Sequence, residues 1–448
     1  MQIATDCTNA ELVQSRGLNP KLRVLLVPDF LPWILGTMAQ QIAEAGSVHE
    51  YYLFSEQMIL QYPDQWNALL NRVDVVHFLN HWEAKNRVMP ATLARINTIT
   101  HVTDAQEWEE HIIPLLQADG ILVIAEEWRQ FLLEQGVSAQ KLHLAYVGVD
   151  PKQFYPVQNK VRSRKQIGIN STSCLIGYSA KFSSNYNGRK GADIFLEALK
   201  QCADSGYSFG VVITGPGWDQ TIQELESHGI EVHYRPFLPG RLMPSFYNAL
   251  DMFVCTARIE GGPAPVLESI MCGTPVITTF VGTVKDHLKP DLDALIIPKN
   301  DVNACVQAII RLLDSRQLRD DLSQSARKTV LDNLMWSKTL QNIESFYTQT
   351  WRTKNSTQHS VNLSLNSLPK SKLVKQHNNW AVQVDFFLWH SQLFQTTSTV
   401  ESFRGMLSSS FKVGGKETFI LLRKSLGILS RRIRCELKAH LSNLVDFL

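Results

Sequence analysis

The sequence lacks any recognisable cysteine motif. Its seven cysteines form no Cys-x-x-Cys pair and no ligand spacing with histidine, which excludes the common zinc-finger motifs. We interpret them as reduced core residues of a cytosolic protein. Long apolar runs are also missing, since no window approaches the ~20 apolar residues of a membrane-spanning helix. The first twenty residues are polar and carry acids before any apolar run, so no signal peptide is predicted.

An excess of charge of either sign is absent as well. The formal net charge is +2 over 448 residues, so electrostatics give no reason to expect a nucleic-acid partner. The length favours about three domains, and the 44% of hydrophobic residues can supply a core for each. The chain is therefore expected to be a globular, multidomain protein.

Short apolar segments alternate with helical patterns along the chain, which is typical of parallel sheets built from βαβ units. Five strands are predicted in each half, at residues 22–27, 74–79, 97–102, 121–125 and 142–147, and at residues 174–179, 209–214, 230–234, 252–255 and 275–279. The pattern predicts an α/β protein with two Rossmann-like domains and a cleft between them. Ligands bind at the carboxyl ends of such strands.

The boundaries follow from composition. We predict an N-terminal tail over residues 1–20, a first Rossmann-like domain over 21–150, a linker over 151–172 and a second Rossmann-like domain over 173–350. A polar stretch without apolar periodicity predicts a second linker over 351–378, followed by a C-terminal extension over 379–448.

Two glutamates, Glu260 and Glu268, flank a Gly-Gly-Pro turn that opens onto a helical segment. Gly261 and Gly262 allow the backbone to approach a ligand closely. The amides from Val266 onward are expected at a helix N-terminus, where unpaired donors and the helix dipole attract phosphate. Such an arrangement suits a sugar nucleotide, whereas the alternative is a capped surface helix with solvated acids.

Residues 247–288 closely resemble the donor-binding core of the retaining GT-B glycosyltransferases of family 4, whose signature is two glutamates separated by seven residues. The segments IGYSAKF, GRKGADIFLEAL and VVITGPGW follow in the order that this family shows, and AYVGVDPKQFYP is similar to its interdomain segment. The resemblance covers roughly residues 20–350, strongly in the second half and weakly in the first.

The resemblance implies roles for the donor side. Glu260 is expected to hold hydroxyls of the donor sugar and Glu268 those of the ribose. The expected diphosphate ligands are Lys181, in a place where the family has arginine, and Lys190, with Arg189 supplying the missing fork of donors. Pro263 has no amide hydrogen, so the backbone contacts are assigned to Gly262 and Ala264. The full donor-binding set is Arg189, Gly215, Gly217, Phe237, Gly261, Gly262, Ala264, Val266, Leu267 and Glu268.

Some of these assignments have a simpler alternative. Gly215 and Gly217 follow a predicted strand and allow a tight turn near the cleft. Phe237 lies where the family has an apolar wall for the nucleobase. Ordinary loop packing explains all three equally well.

The first half of the chain, which is expected to bind the acceptor, matches the family's motifs less clearly. Gly36 is the sole glycine of the segment that corresponds to the family's glycine-rich loop, and we assign it to acceptor binding together with His81. His101 occupies the place of a histidine that faces the reacting sugar, which makes it a candidate catalytic residue alongside Lys181, Lys190 and Glu260; a packed loop histidine is the alternative. His77 is expected in the core.

No metal and no cofactor are expected. An Asp-x-Asp pair of the kind that binds a divalent metal occurs at Asp291 and Asp293, in a loop that we interpret as surface. The resemblance implies that lysines and helix amides neutralise the diphosphate instead.

The sequence therefore predicts a metal-independent hexosyltransferase that moves a sugar from a nucleotide-diphosphate donor to a hydroxyl acceptor, which is a glycan, a glycolipid or a small molecule. Retention at the anomeric carbon is implied by the family and not by spacing. Two alternatives stay open: a sugar-nucleotide epimerase or hydrolase of the same fold, and a membrane-associated scaffold with weak activity.

From Phe419 onward, leucine and isoleucine residues recur every three or four positions, with Lys424, Arg431, Arg432 and Lys438 on the opposite face. This pattern predicts a basic amphipathic helix, which suits an anionic membrane surface. Packing of the stripe on the chain's own domains is the alternative. The expected location is cytoplasmic, with peripheral binding at the inner face of the membrane.

Overall fold

In a computed structural model of the protein, the structure describes residues 20–29, 31, 34–80, 89–182 and 188–357. All the elements below lie in one compact unit. Except for Pro20, the predicted N-terminal tail lies outside the described residues, as do His81 and the predicted extension with its amphipathic helix. Among the described helices, none combines the length and apolar character that a bilayer-spanning segment needs.

The first domain is a parallel sheet with the strand order β2-β1-β3-β4-β5-β6. Its strands are β1 Arg23–Val27, β2 Glu50–Leu53, β3 Val75–Phe78, β4 Ala94–Ile99, β5 Gly120–Val123 and β6 Leu142–Leu144. β3 is buried along its whole length, as expected of a parallel strand that helices cover on both faces.

A second parallel sheet has the order β12-β11-β10-β7-β8-β9. Its strands are β7 Leu175–Ser179, β8 Gly210–Thr214, β9 Glu231–Arg235, β10 Met252–Cys255, β11 Val276–Thr279 and β12 Leu295–Ile297. This is the classic order of the dinucleotide-binding fold, and the chain reverses its direction across the sheet between β7 and β10. The open crevice of such a sheet lies at that reversal.

The α/β class with two Rossmann-like sheets is confirmed, but five strands per sheet was wrong. The missed strands, β2 and β12, each form one edge of a sheet. β2 is exposed or half-buried throughout, and β12 has three residues. An edge strand has one neighbour and less buried surface, so it needs no continuous apolar run, and a search for such runs passes over it.

Helices cover both sheets. In the first domain they are α1 Ile34–Ala45, α2 Glu56–Gln61, α3 Pro63–Leu70, the single turn α4 Ala105–Glu107 and α5 Glu126–Glu134. α4 continues as a π-helix over Trp108–Ile112 and a 3₁₀-helix over Ile113–Gln117.

The remaining helices follow the first sheet in sequence. They are α6 Lys160–Gln166, α7 Ala192–Asp204, α8 Asp219–Ser227, α9 Met243–Ala249 after a 3₁₀ turn over Gly240–Leu242, α10 Ala264–Met271, α11 Gly282–His287, α12 Val302–Asp314, α13 Arg316–Asn333 and α14 Trp336–Thr357.

The last of these helices returns to the first domain. Leu340, Ile343 and Tyr347 of α14 are buried in the same core as Val24 of β1 and Val75 of β3. The sequence placed residues 336–350 in the second domain and residues from 351 in a linker, whereas α14 is continuous to Thr357 and packs on the first sheet. The polar residues at its C-terminal end, from residue 351 onward, made that end resemble a linker.

The predicted linker over 151–172 is also packed. Phe154, Ile167 and Ile169 are buried in the core of the second domain, and Arg164 binds Asp251 at 2.8 Å. The segment therefore connects the two sheets while it contributes side chains to the second.

Candidate active site

The candidate site lies at the reversal point of the second sheet. The chain leaves β7 at Ser179 and β10 at Cys255, and because these strands are neighbours, the loops that follow them emerge side by side. Residues 180–182 and 256–262 occupy these loops. The predicted donor-binding residues of both segments are therefore brought to the crevice where ligands bind in this fold.

Glu260 is the centre of this site. The residue is almost fully buried, at 7% exposure, and it forms ion pairs with two cations. Lys190 Nζ contacts Oε1, and Arg189 Nη1 lies 3.2 Å from Oε2. Both cations come from the segment before α7, seventy residues away in sequence. A buried carboxylate of this kind is held charged by its partners, since burial without them would be costly.

The backbone around Lys190 is fixed by β7 and by the loop after β10. The Lys190 carbonyl accepts a hydrogen bond of 2.8 Å from the Tyr178 hydroxyl, and the Arg189 carbonyl accepts one of 2.7 Å from the Arg258 amide. Gly191 has φ +67°, and a Cβ there would lie 2.0 Å from the Thr256 carbonyl oxygen. Only glycine fits this approach, so Gly191 is a structural requirement of the ion cluster.

The electrostatics of the cluster favour an ionised Glu260. Burial alone would raise the pKa of this carboxyl, but the charges of Lys190, Arg189 and His101 outweigh that effect and lower it to about 2. A carboxylate that stays ionised at all physiological pH values can accept hydrogen bonds from sugar hydroxyls.

His101 approaches from the first domain, where it follows β4. Its Nδ1 lies 2.8 Å from the Thr100 hydroxyl, and its charge contributes to the low pKa of Glu260. The structure thus brings His101 from the first domain into the surroundings of Glu260, and its contact with the reacting sugar stays a prediction.

Lys190 and Arg189, which the sequence assigned to the diphosphate, are paired with Glu260. Lys181 follows β7 with an exposed side chain. All three basic residues lie in the loops next to the crevice. Their contact with a diphosphate remains a prediction. Lys190 and Arg189 can make this contact only if they bind the ligand in addition to Glu260 or in place of it.

Gly215 and Gly217 join two loops of the second domain. Their φ values are +119° and +96°, and a Cβ would lie 2.1 Å from the Ala180 oxygen in one case and 2.2 Å from the Phe182 oxygen in the other. These glycines therefore allow the loop after β8 to lie against the loop after β7. That is a packing requirement, and direct contact with a donor stays a prediction. Phe237 follows β9, at the outer edge of the sheet, and is half-buried.

The N-terminus of α10 differs from what was expected. The Ala264 amide donates a hydrogen bond of 2.7 Å to the Gly262 oxygen, and the Val266 amide donates one of 2.9 Å to the Pro263 oxygen. Two of the amides that the sequence assigned to phosphate, those of Ala264 and Val266, thus have acceptors within the turn. The side chains of Val266 and Leu267 are buried in the core, so only backbone atoms of these residues remain for a ligand.

Glu268 lies one turn further along α10. The hydroxyl of Tyr247, a fully buried residue of α9, donates a hydrogen bond of 2.6 Å to Glu268 Oε2. Burial raises the pKa of the Glu268 carboxyl to about 7, although the Tyr247 hydrogen bond opposes the rise. The pKa values of the two glutamates are thus shifted in opposite directions. Glu260 lies beside two cations, whereas Glu268 is buried beside a neutral hydrogen-bond donor.

The raised pKa of Glu268 makes stability depend on pH. Between its ordinary value of 4.5 and about 7, the folded protein holds a proton that the unfolded chain has released, so the free energy of unfolding should fall as pH rises through this window, by on the order of 2 kcal/mol. Glu268→Gln should remove this component, and its stability relative to the native protein should increase from pH 5 to pH 7.5 in urea titrations. The same substitution at the exposed Glu226 is the control, and parallel pH curves for native protein and Glu268→Gln would contradict the prediction.

The two domains touch directly at the site. A Cβ at Gly261 would lie 2.0 Å from the Thr100 oxygen, and Trp128 Nε1 donates to the Glu260 carbonyl at 3.0 Å. The Gly282 amide donates to Glu127 Oε1 at 2.6 Å. The missing side chain of Gly261 therefore lets the first domain come close to the Glu260 loop. The sequence analysis had instead assigned Gly261 to close contact with a ligand.

Three side chains of this neighbourhood were not found from the sequence: Trp128, Tyr247 and Thr283. The Thr283 hydroxyl donates to the Ile124 oxygen at 3.1 Å, across the domain boundary. Trp128 and Thr283 each lie shortly after a predicted strand, which is a usable signal. Tyr247 lies within a helix and has no such signal.

Other assignments need correction. Gly36 lies in the first turn of α1, and the space that its Cβ would fill is taken by the backbone of Leu31, whose oxygen would be 2.2 Å away. Gly36 is therefore required by packing within a helix, and its contact with an acceptor stays a prediction. Asp293 is not on the surface: it is 1% exposed and accepts hydrogen bonds from Ser325 and Thr329. His77 is fully buried as expected, and burial lowers its pKa to about 3.

Within the described part of the chain, no group of three or more histidine, cysteine, aspartate or glutamate side chains is arranged to hold a metal ion. The described cysteines, Cys174, Cys202, Cys255, Cys272 and Cys305, are free thiols that are buried or half-buried.

Two parallel Rossmann-like sheets with a shared crevice define the GT-B fold, and solved structures agree. Sucrose-phosphate synthase from Thermosynechococcus elongatus superposes with a TM-score of 0.59 at 16% identity, over 74% of this chain and 100% of that one. HepE from Anabaena, solved with UDP and glucose, gives a TM-score of 0.58 at 15% identity, over 72% and 98%. At these identities the similarity shows the fold.

The sequence family agrees with the fold. Residues 159–329 match the model of the family described as Glycosyl transferases group 1. Among curated proteins, WcaL of Escherichia coli, described as a colanic acid biosynthesis glycosyltransferase, is 25% identical over 56% of this chain and 63% of its own length. The lipopolysaccharide core biosynthesis mannosyltransferase LpsB of Rhizobium meliloti is 26% identical over 38% and 50%. The chain thus spans less than two thirds of either relative.

Proposed function

We propose that this protein is a glycosyltransferase that moves a hexose from a nucleotide-diphosphate donor to a hydroxyl acceptor, with retention at the anomeric carbon. The observation that carries the proposal is the buried, ionised Glu260 at the reversal point of the second sheet, in contact with Lys190 and Arg189 and faced by His101. A carboxylate with adjacent cations suits a ligand that combines sugar hydroxyls with a diphosphate.

Each residue has a task in this reaction. Glu260 accepts hydrogen bonds from the donor sugar, and Glu268 accepts them from the ribose. Lys181, Lys190 and Arg189 bind the diphosphate, and their positive charge stabilises the negative charge that grows on it as the bond to the sugar breaks. His101 donates a hydrogen bond to the sugar from the opposite domain.

The bond changes balance without a further reactant. The bond between the anomeric carbon and the diphosphate oxygen breaks, and a bond to the acceptor oxygen forms on the same face. The acceptor's proton passes to the departing phosphate oxygen, so the products are the glycoside and a nucleoside diphosphate. Lys190 and Arg189 supply the positive charge that a metal supplies elsewhere, and we therefore propose that activity does not require a divalent ion.

The similar structures and relatives support the donor class. HepE was solved with UDP-glucose, and LpsB is named a mannosyltransferase. A cytoplasmic location is part of the proposal, and so is peripheral binding at the inner face of the membrane through the helix predicted from Phe419 onward, which lies outside the described residues.

Binding of nucleotide sugars tests the donor assignment. The native protein should show a raised melting temperature with one or more members of a panel of UDP-, GDP- and ADP-hexoses, since a ligand at 100 times its dissociation constant adds about 2.7 kcal/mol of stability. The increase should persist in EDTA. A magnesium-dependent increase would contradict the metal-free proposal, and no increase with any member would contradict the donor class.

Product analysis separates the transferase from the remaining alternatives. Release of free sugar without an acceptor identifies a hydrolase, and conversion of one nucleotide sugar into another identifies an epimerase. A glycoside whose anomeric configuration in the NMR spectrum matches that of the donor supports the proposed reaction, whereas an inverted product contradicts retention.

A further inference from the structure

Tyr247 is an aromatic residue of α9 whose ring is fixed inside the second domain. It is fully buried, with ring centroids 5.1 Å from Phe246, 5.6 Å from Phe253 and 6.1 Å from Phe154. Its backbone carbonyl accepts a hydrogen bond of 2.8 Å from the Thr274 hydroxyl. The side chain consequently has one position available, and its hydroxyl points to Glu268.

The phenol is the only polar end of this buried side chain, and it donates to Glu268 Oε2 at 2.6 Å. The terminal torsion of a glutamate is broad and weakly restrained, so a carboxylate without a partner samples many orientations. A fixed donor on one oxygen removes that freedom. The second oxygen, Oε1, is then held in a set direction.

We propose that Tyr247 is a positioning residue for the nucleotide: it orients Glu268 so that the free oxygen accepts hydrogen bonds from the ribose hydroxyls. The proposal rests on the proposed function, because it assigns Glu268 to the ribose. It adds a residue outside the crevice to the recognition of the nucleotide and gives ribose recognition a pH dependence.

The surroundings of Glu268 explain that pH dependence. Burial raises the pKa of Glu268 to about 7 and Tyr247 opposes the rise; the Cys272 thiol also interacts with the carboxylate, and its own pKa is raised. No lysine or arginine contributes to the shift of Glu268. Tyr247 is therefore the interaction that favours the charged form, the form that accepts two hydrogen bonds.

The test uses Tyr247→Phe, which keeps the ring and its packing. Binding of UDP, GDP and ADP is titrated from pH 5.5 to pH 8.5, alongside their 2′,3′-dideoxy analogues. In the native protein, affinity for the ribonucleotide should rise through pH 7 as Glu268 ionises, and the dideoxy analogue should show no such rise. In Tyr247→Phe the midpoint should move to higher pH, and the dissociation constant at pH 7 should increase about tenfold, the effect of one hydrogen bond to a charged group.

Tyr347→Phe is the matched control. Tyr347 is also fully buried, and its hydroxyl lies 2.7 Å from His77 Nδ1 in the first domain. This variant should lose stability and keep the native midpoint and the native preference for ribose. A general loosening of the fold would affect both variants alike.

The outcomes separate the two proposals. If Tyr247→Phe keeps the native midpoint and the native preference for ribonucleotides, Tyr247 has no positioning role, and the proposed function stands. If the native protein binds none of UDP, GDP and ADP at any pH, both this inference and its donor assignment are wrong.

Discussion

Glu260→Gln should lose at least about a hundredfold in kcat, because the site loses the group that holds the donor sugar and balances the charges of Lys190 and Arg189. Glutamine keeps the shape of the side chain but carries no charge. Removing one partner from a buried ion pair leaves uncompensated charge, which typically costs 3–5 kcal/mol; since Lys190 is partly exposed, we expect about 3 kcal/mol in the free energy of unfolding.

The pH dependence of this loss is a second readout. The pKa of Glu260 is lowered to about 2 from an ordinary value of 4.5. Its contribution to stability is therefore fully present above pH 4.5 and is lost as pH falls through that value towards 2. The difference between native protein and Glu260→Gln in urea titrations should be constant from pH 5 to pH 8 and should shrink only in acid.

Asp193→Asn is the control for this variant. Asp193 pairs with Arg258 of the same loop at 2.7 Å, but its side chain is 56% exposed. Exposed pairs contribute about 0–1 kcal/mol, so stability and turnover should change little. Native turnover in Glu260→Gln would contradict the central role of the carboxylate.

Gly261→Ala should reduce turnover by about a hundredfold without removing any functional group. A Cβ at this position lies 2.0 Å from the Thr100 oxygen and 2.8 Å from an Ile124 side-chain carbon. The first domain and the Glu260 loop must therefore move apart, and a displacement of ~1 Å between reacting groups costs on the order of 10² in rate. Stability should fall by about 1–3 kcal/mol, as it does on overpacking.

Gly240→Ala matches this substitution at a site where a Cβ would meet nothing within 4 Å. Neither glycine has a positive φ, so neither substitution forces an alanine into the left-handed region, and the difference between the variants reports mainly the clash. Normal kcat and KM in Gly261→Ala would show that the domain contact at Thr100 is not needed for catalysis.

Much of the fold could be predicted because its signals are local. The interior strands of both sheets, such as β7 and β10, read as continuous apolar runs, and their alternation with helices predicts parallel sheets. The edge strands β2 and β12 were missed for the converse reason. The return of α14 to the first sheet was also missed, since its pattern shows an amphipathic helix without showing which sheet it covers.

The residues of the candidate site could likewise be predicted only where their signals are local. Glu260, Glu268 and Lys190 were found because each belongs to a short motif next to a strand end. The partners of these residues were not found: Arg189 and Lys190 were assigned to phosphate and are bound to Glu260, and Tyr247 was not assigned at all. Gly36 and Gly261 show what a glycine in the sequence cannot reveal. A glycine is needed wherever another group comes close to the backbone, whether that group belongs to the protein or to a ligand.

The sequence by itself determined the two α/β sheets, the order of the motifs and the chemistry of the individual side chains, because apolar periodicity and residue type are properties of short segments. The tertiary structure decided which charges meet. The neighbouring positions of β7 and β10 bring Glu260 to Lys190 across seventy residues, and the contact between Gly261 and Thr100 brings His101 from the other domain. The opposite pKa shifts of the two glutamates follow from those neighbours and from burial, which no local pattern contains.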